Sequence, residues 1–379
     1  MSCKKSACKK TSIGGQALIE GIMMRGPHKT VMAVRKKDGT IITRPQKVKD
    51  PKQRFFLFKW PIIRGVYGFI DSMTVGYKAM MESADLSGYL EEEEAEKNKK
   101  KAKKETAEEV ATVETAEAME GTALAEELSE TVEEKAEETP EAEAKTDKKA
   151  KKEKKEKGIS ALMGGIMAIA SVLAVVLCVV LFLWLPEKAF EGVNYLFGLG
   201  GIELEAFRSI FVGVFKILIF FAYMIAVSFM KDIKRVFQYH GAEHKTIFCY
   251  EAGLPLTVEN VRAQKRFHPR CGTSFLMLML VVSICVTLLI DVIFPGLTAD
   301  EMVWLRMLIK VPLIPVICGI GYELIKICGR YDNFITRIIA APGLWFQRIT
   351  VKEPDDSMIE VAIAAMEAVI PENEEDDKW

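Results

Sequence analysis

The stretch Ile159–Leu185, ISALMGGIMAIASVLAVVLCVVLFLWL, runs for 27 residues without a charged side chain. About 20 apolar residues let a helix cross a hydrocarbon core of about 30 Å, so this run is long enough to span a bilayer. Three further runs follow. Phe207–Met230 carries Arg208 at its edge and Lys216 inside, and Thr273–Phe294 is interrupted only by Asp291. Val303–Ile327 is more polar, with Arg306, Lys310, Glu323, Lys326, Pro312 and Pro315. Proline is tolerated in membrane helices whose neighbours satisfy the freed backbone groups. The expected fold is therefore mainly α: a polytopic helical membrane protein of about four spans, occupying 158–330, in the cell membrane.

Basic residues in short loops collect on the inner side of a membrane. The connection Pro186–Ala206 has one Lys against four acidic residues, and Pro295–Met302 has Asp300 and Glu301 but no basic residue. By contrast Lys231–Gly272 holds eight Lys or Arg, and the chain before the first run ends in KKAKKEKKEKG. Both termini and the long loop 231–272 are expected on the cytoplasmic side. The start, MSCKKSACKKTSIGG, lacks the apolar core of a secretory signal. Eight cysteines in or beside spans, or facing a reducing compartment, do not suggest disulfides. Cys3 and Cys8, in a Lys-rich tail, are a minor metal-binding candidate.

The net charge of −1 hides two opposite parts. Glu91–Lys157 is rich in Glu, Lys, Ala and Thr, with 23 acidic and 15 basic residues. Such charge blocks are solvated, so 91–157 is expected to be a disordered linker. Its acidic balance argues against nucleic acid as a partner. The remaining chain is net basic, 36 against 29, which suits a protein lying against anionic lipid.

Outside the spans, 1–90 is expected to form a small region on the membrane. VMAVRKKDGTIITRP has two β-prone arms about Asp38–Gly39, a hairpin signal. Arg54–Ala84 is apolar and aromatic, but Arg64 is too central for an ordinary span. It reads as an interfacial or partly inserted helix, or as a buried helix of the small region. In 331–379, RYDNFITRIIAAPGLWFQRIT has the Trp, Phe and Arg anchors of an interfacial helix. Then EPDDSMIEVAIAAMEAVIPE spaces Ile359, Ile363, Met366 and Ile370 as an amphipathic helix suited to docking a membrane-protein partner.

Three of the four histidines fall within Gln238–Leu276. Nothing from Lys231 to about Tyr250 breaks a helix except Gly241, so His240 and His244 lie one turn, about 6 Å, apart on one face. With Glu243 they spell His-x-x-Glu-His, the pattern in which two imidazoles hold zinc, or another divalent transition metal, and the Glu is general base. Two ligands do not hold zinc. Glu251 stands about 10 Å further along the helix, too far to share the ion. His268 and Cys271, in the turn HPRCG before the third apolar run, are candidate ligands, as is Glu323, since a carboxylate in a membrane helix needs a partner or a role. Three protein ligands leave a position for water, whereas His240, His244, His268 and Cys271 together would close a structural site. Both sets stay open, as does a cluster without metal. Arg262, Lys265, Arg266 and Arg270 read as lipid-facing charges or as a surface for an anionic substrate or partner.

GGQALIEGIMMRGP (Gly14–Pro27), YHGAEHKTI, YEAG, LTVENVR, HPRCGTSF and PGLWFQRITVKEPDD resemble the bacterial YqhQ-like family of membrane proteins. The resemblance covers roughly Gly14–Gly88 and Ile159–Ile370, and it implies a metal-dependent enzyme without naming a substrate. Within it, Glu20 and Arg25 are expected in ion pairs or at the site. Two functions follow: a membrane-embedded zinc hydrolase with Glu243 as its catalytic base, acting on a peptide or lipid, or a non-catalytic accessory of transport or protein-insertion machinery.

Overall fold

The computed structural model describes residues 10–46, 60–89, 169, 171–201, 204–294, 308–309 and 311–377. Cys3, Cys8 and the expected linker 91–157 lie outside them. Two compact units are distinguished: Glu93–Leu185, described from 169 on, and the rest of the chain.

Residues 14–45 form a four-stranded antiparallel meander, β1 (Gly14–Leu18), β2 (Gly21–Arg25), β3 (Thr30–Arg35) and β4 (Ile41–Pro45), in the order β1-β2-β3-β4. The expected hairpin is β3–β4, with Arg35 opposite Ile41 and Gly39 at φ 83°. Asp38 fixes the turn by accepting from the Thr40 N–H at 2.9 Å. β1 and β2, which the sequence did not reveal, turn through Glu20 at φ 51°. Both faces of this sheet are buried. Ile22, Met24, Val31 and Ala33 point to one side, and Leu18, Met23, Met32 and Val34 to the other. Two covered faces explain runs such as VMAV, where a half-exposed strand would alternate with polar residues.

Helix α1 (Pro61–Leu86) covers one face through Ala79. Helices α4 (Lys231–Glu251) and α9 (Asp356–Glu367) cover the other. The C-terminal helix is therefore spent inside the fold. Met358, Ile359, Val361, Ala362, Ala365 and Met366 are all fully buried. The expectation that its apolar face serves a partner is replaced by packing on the sheet and α4. Burying six such side chains requires apolar positions nearly all round the helix, and DSMIEVAIAAME supplies them.

Among the described residues, three helices are long and apolar enough to cross a membrane: α2 (Ser171–Gly198), α3 (Arg208–Ser228) and α6, apolar over Gly272–Ile290 and helical to Ile293. α2 runs well past the expected end at Leu185. Pro186 has no N–H and crowds the carbonyl four residues back, and the turn Val180–Trp184 accommodates it by widening to a π-helix. The fourth expected run yields α7 (Ile314–Arg330), 17 residues long, after a 3₁₀ turn at Val311–Leu313. Residues 303–307 lie outside the described residues. α8 (Phe334–Thr350) follows, its N-terminus closed by a capping box between Asn333 and Thr336. α8 packs on α6, where Gly343 lets Ser274 approach. A short helix, α5 (Val258–Arg262), links α4 to the turn before α6.

Candidate metal centre

α4 is amphipathic at its ends and buried all round its middle, from Tyr239 to Ile247. The glycine in YHGAEH is a packing requirement. A Cβ on Gly241 would collide with the Lys352 carbonyl, where the chain leaving α8 crosses α4. That crossing brings the last carbonyls of α8 to the histidines. His240 Nδ1 lies 3.0 Å from the Thr350 carbonyl, and His244 Nδ1 lies 2.6 Å from the Arg266 carbonyl. A carbonyl only accepts, so both rings present an Nδ1–H to it, and for His240 this turns Nε2 toward Cys271. The two rings are 4.4 Å apart between centroids.

Cys271 completes the group. Its Sγ lies 3.0 Å from His240 Nε2, and the ligand atoms of His240, His244 and Cys271 are all within 4.8 Å of one another. Cys271 is also the N-cap of α6, and its sulfur accepts from the Thr273 N–H at 3.4 Å. A helix N-terminus favours a thiolate. Burial opposes that charge, but the two imidazoles outweigh it and hold the Cys271 thiol well below its usual range. His240 answers in kind: burial pulls it down, and the Cys271 charge overrides this and lifts it to about 9. Two imidazole nitrogens and a thiolate, on a tetrahedral edge of about 3.3–3.8 Å once drawn in, form a donor set for zinc or a similar transition metal.

Glu243 is the fourth member. It is 5% exposed, and burial raises its pKa against the pull of His240 and His244. The Gly15 backbone N–H faces the carboxylate, and a Cβ on Gly15 would stand 2.8 Å from its carbons. Oε2 has no hydrogen-bond partner among the described residues. A buried carboxylate oxygen with no partner among the described residues, close to His240, His244 and Cys271, is suited to hold a water or take a proton.

His268 and Glu323 are placed elsewhere. His268 sits beside His244, 5.7 Å between rings, but Nδ1 accepts from the Arg270 N–H and Nε2 faces Glu251 at 3.7 Å. Burial lowers it to about 4 despite Glu251, so it is a neutral ring. Its backbone is held by Gln347, which accepts from the His268 N–H at 2.8 Å and donates to its carbonyl and to Ser274 Oγ. Cys271, not His268, thus reaches the two imidazoles, because Gln347 fixes the turn with the sulfur facing them. Glu323 pairs with Arg64 of α1 at 2.6 Å.

Glu251 stays clear of the cluster, as its helical spacing requires, and binds Arg270 and the Thr11 N–H. Arg262 pairs with Asp356, and Arg266 and Lys245 with Glu353. These cations clamp the loop to the start of α9 and to α4, so three of the four basic residues in question, Arg262, Arg266 and Arg270, meet carboxylates of the chain itself. Glu20 pairs with Arg235, and Arg25 with Asp71 at 3.0 Å. Gly15, Thr350 and the Arg266 carbonyl escaped sequence reasoning, since backbone groups carry no residue-type signal; the glycine pair GG before a strand was the one visible hint.

Among known proteins, the chain is 31% identical over 360 residues to the "Uncharacterized protein YqhQ" of Bacillus subtilis (strain 168), covering 94% of this chain and 92% of that protein. No solved structure matches. A family described as "Protein of unknown function (DUF1385)" matches residues 60–372, which include α1 to α9 and the whole His–Cys group. The chain belongs to this family of YqhQ-like proteins.

Proposed function

We propose that the protein is a metal-dependent hydrolase working at the cytoplasmic face of the membrane, with His240, His244 and Cys271 as ligands and Glu243 as general base. The observation that supports this reading is the orientation of the rings: a backbone carbonyl holds Nδ1 of each, and their ligand atoms lie within 4.8 Å of one another and of Cys271 Sγ. Ligand histidines commonly donate their other N–H in this way. Three protein ligands leave one position for water or substrate. An ion held there supplies Lewis acidity and acidifies a water. Glu243, made a stronger base by burial, would as the carboxylate accept that proton and pass it to the leaving group.

The second reading, a closed structural centre in a membrane accessory protein, is favoured by burial, since the four side chains are only 2–8% exposed. Cobalt-substituted protein separates the two. In the hydrolase, acetohydroxamate perturbs the cobalt spectrum, and a pH-dependent spectral change moves in Glu243→Gln while metal content stays the same. A spectrum indifferent to added ligand and to Glu243→Gln removes the catalytic reading and leaves the structural one.

A further inference from the structure

We infer that the first turns of α1 are inserted into the bilayer, and that their exposed apolar stripe is a binding surface for lipid acyl chains. Trp60, Ile63, Ile70, Met73 and Tyr77 are 36–60% exposed. From Ile63 on, their spacing of three, four and seven places them along one side of the helix. An apolar surface of this length is not normally left to water.

Contacts with α6 and α7 set its depth. The Phe69 ring packs 5.7 Å from that of Phe275, the fourth residue of the spanning helix α6. Phe69 therefore lies about 5 Å, one turn, inside the start of that span. From there α1 runs toward its own N-terminus beside α7. Gly65 faces Gly319 and Tyr322, and Ile62 packs directly on Gly319, small residues that let two membrane helices approach closely. The far end of α7 marks the membrane edge: Lys10 donates to the Gly329 carbonyl at 2.8 Å, and its neighbour Thr11 accepts from Arg270, next to Cys271. Ten residues separate Gly329 from Gly319, so Ile62 lies about 15 Å inward, near the middle of a hydrocarbon core.

The charges on α1 follow the same scale. Arg64, the residue that spoils α1 as an ordinary span, meets Glu323 at 2.6 Å, with Tyr322 5.9 Å from its guanidinium. Each charge would be costly in lipid alone, and together they are neutral. Asp71, two turns nearer the edge, instead meets Arg25 of the sheet. Between Ile63 and Ile70 the occupant of the stripe is lipid because α1 packs along α7, touches α6 through Phe69, and shares their depth.

The test places a photoreactive p-benzoylphenylalanine at Ile63, Ile70 or Asp85 of the full chain, in vesicles of phosphatidylethanolamine and phosphatidylglycerol. Irradiation should give phospholipid adducts at 63 and 70 and none at 85. Adducts of position 63 with protein alone, or loss of the label to water, overturn the inference. Arg64→Gln should lower the position-63 adduct by about fivefold or more by stranding Glu323, and adding Glu323→Gln should restore it. A single variant with unchanged lipid adducts would show that the pair does not hold the helix in place.

Discussion

His240 and Cys271 are 31 residues apart in the chain, yet Nε2 and Sγ stand 3.0 Å from each other, and the same imidazole is held from behind by the Thr350 carbonyl. Three elements, α4, the cap of α6 and the end of α8, thus meet on one ring. Loss of either partner should be felt as metal affinity. Cys271→Ser and His244→Ala are expected to weaken zinc binding by more than the roughly 10–100-fold typical of changes one shell further out. His268→Gln keeps all three ligands, so metal content measured on the purified variant should stay near one per chain. Zinc lost from His268→Gln but kept in Cys271→Ser would reverse the assignment of the third ligand.

Gly241 gives an experiment whose sign is informative. In a helix interior Gly→Ala ordinarily stabilises by about 1 kcal/mol. Here the added methyl runs into the Lys352 carbonyl, a backbone group that cannot turn aside. Gly241→Ala should therefore destabilise by about 1–3 kcal/mol, the range for overpacking a core. Thermal unfolding in detergent reads the direction: a raised midpoint would mean that the α8–α9 connection does not lie against α4.

The spans, the hairpin and the helix carrying His-x-x-Glu-His were legible because each has a local signature: unbroken apolar length, Asp-Gly between β-prone arms, a helical spacing of imidazoles. β1 and β2 were not, since strands covered on both faces lose the alternation that marks a strand. Similarly, the third ligand could not be chosen. His268 and Cys271 sit three residues apart in one turn, and what separates them is Gln347, 79 residues away, binding the His268 backbone. Glu323 shows the same limit: its charge in an apolar run pointed to a partner, but only tertiary structure supplies Arg64. The amphipathic pattern of α9 was read correctly as a helix and wrongly as a surface for others.

Acidification should destabilise the turn that presents Cys271. Burial holds His268 at about 4, below the ordinary 6.5, so the folded state favours the neutral ring. Below 6.5 the unfolded chain takes up a proton that the folded one refuses. The stabilisation is complete above about 6.5 and disappears as pH falls to about 4, at most about 3 kcal/mol over the window. Glu251, held below its usual range against the effect of burial by His268 and Arg270, adds a loss of the same sign at lower pH. Unfolding midpoints measured from pH 7 to pH 4 should fall more steeply in the parent than in His268→Gln. Parallel profiles would mean that His268 is accessible to protons in the folded protein.

The C-terminal helix is the last element whose role can be reversed by measurement. Ile359 and Met366 are fully buried against the sheet and α4, in a helix whose Asp355 cap accepts from the Met358 N–H. Truncating either side chain to alanine leaves a cavity and should cost about 2–5 kcal/mol, a large fraction of the stability of an ordinary domain. Ser357 is exposed on the same helix, and Ser357→Ala should stay within about 0.5 kcal/mol. Because α9 packs on α4, which carries His240 and His244, the damage should spread to the His–Cys group, with zinc released at the same temperature as the helix unfolds. If Met366→Ala unfolds no earlier than the parent, α9 is a detachable arm after all, free to dock on another protein.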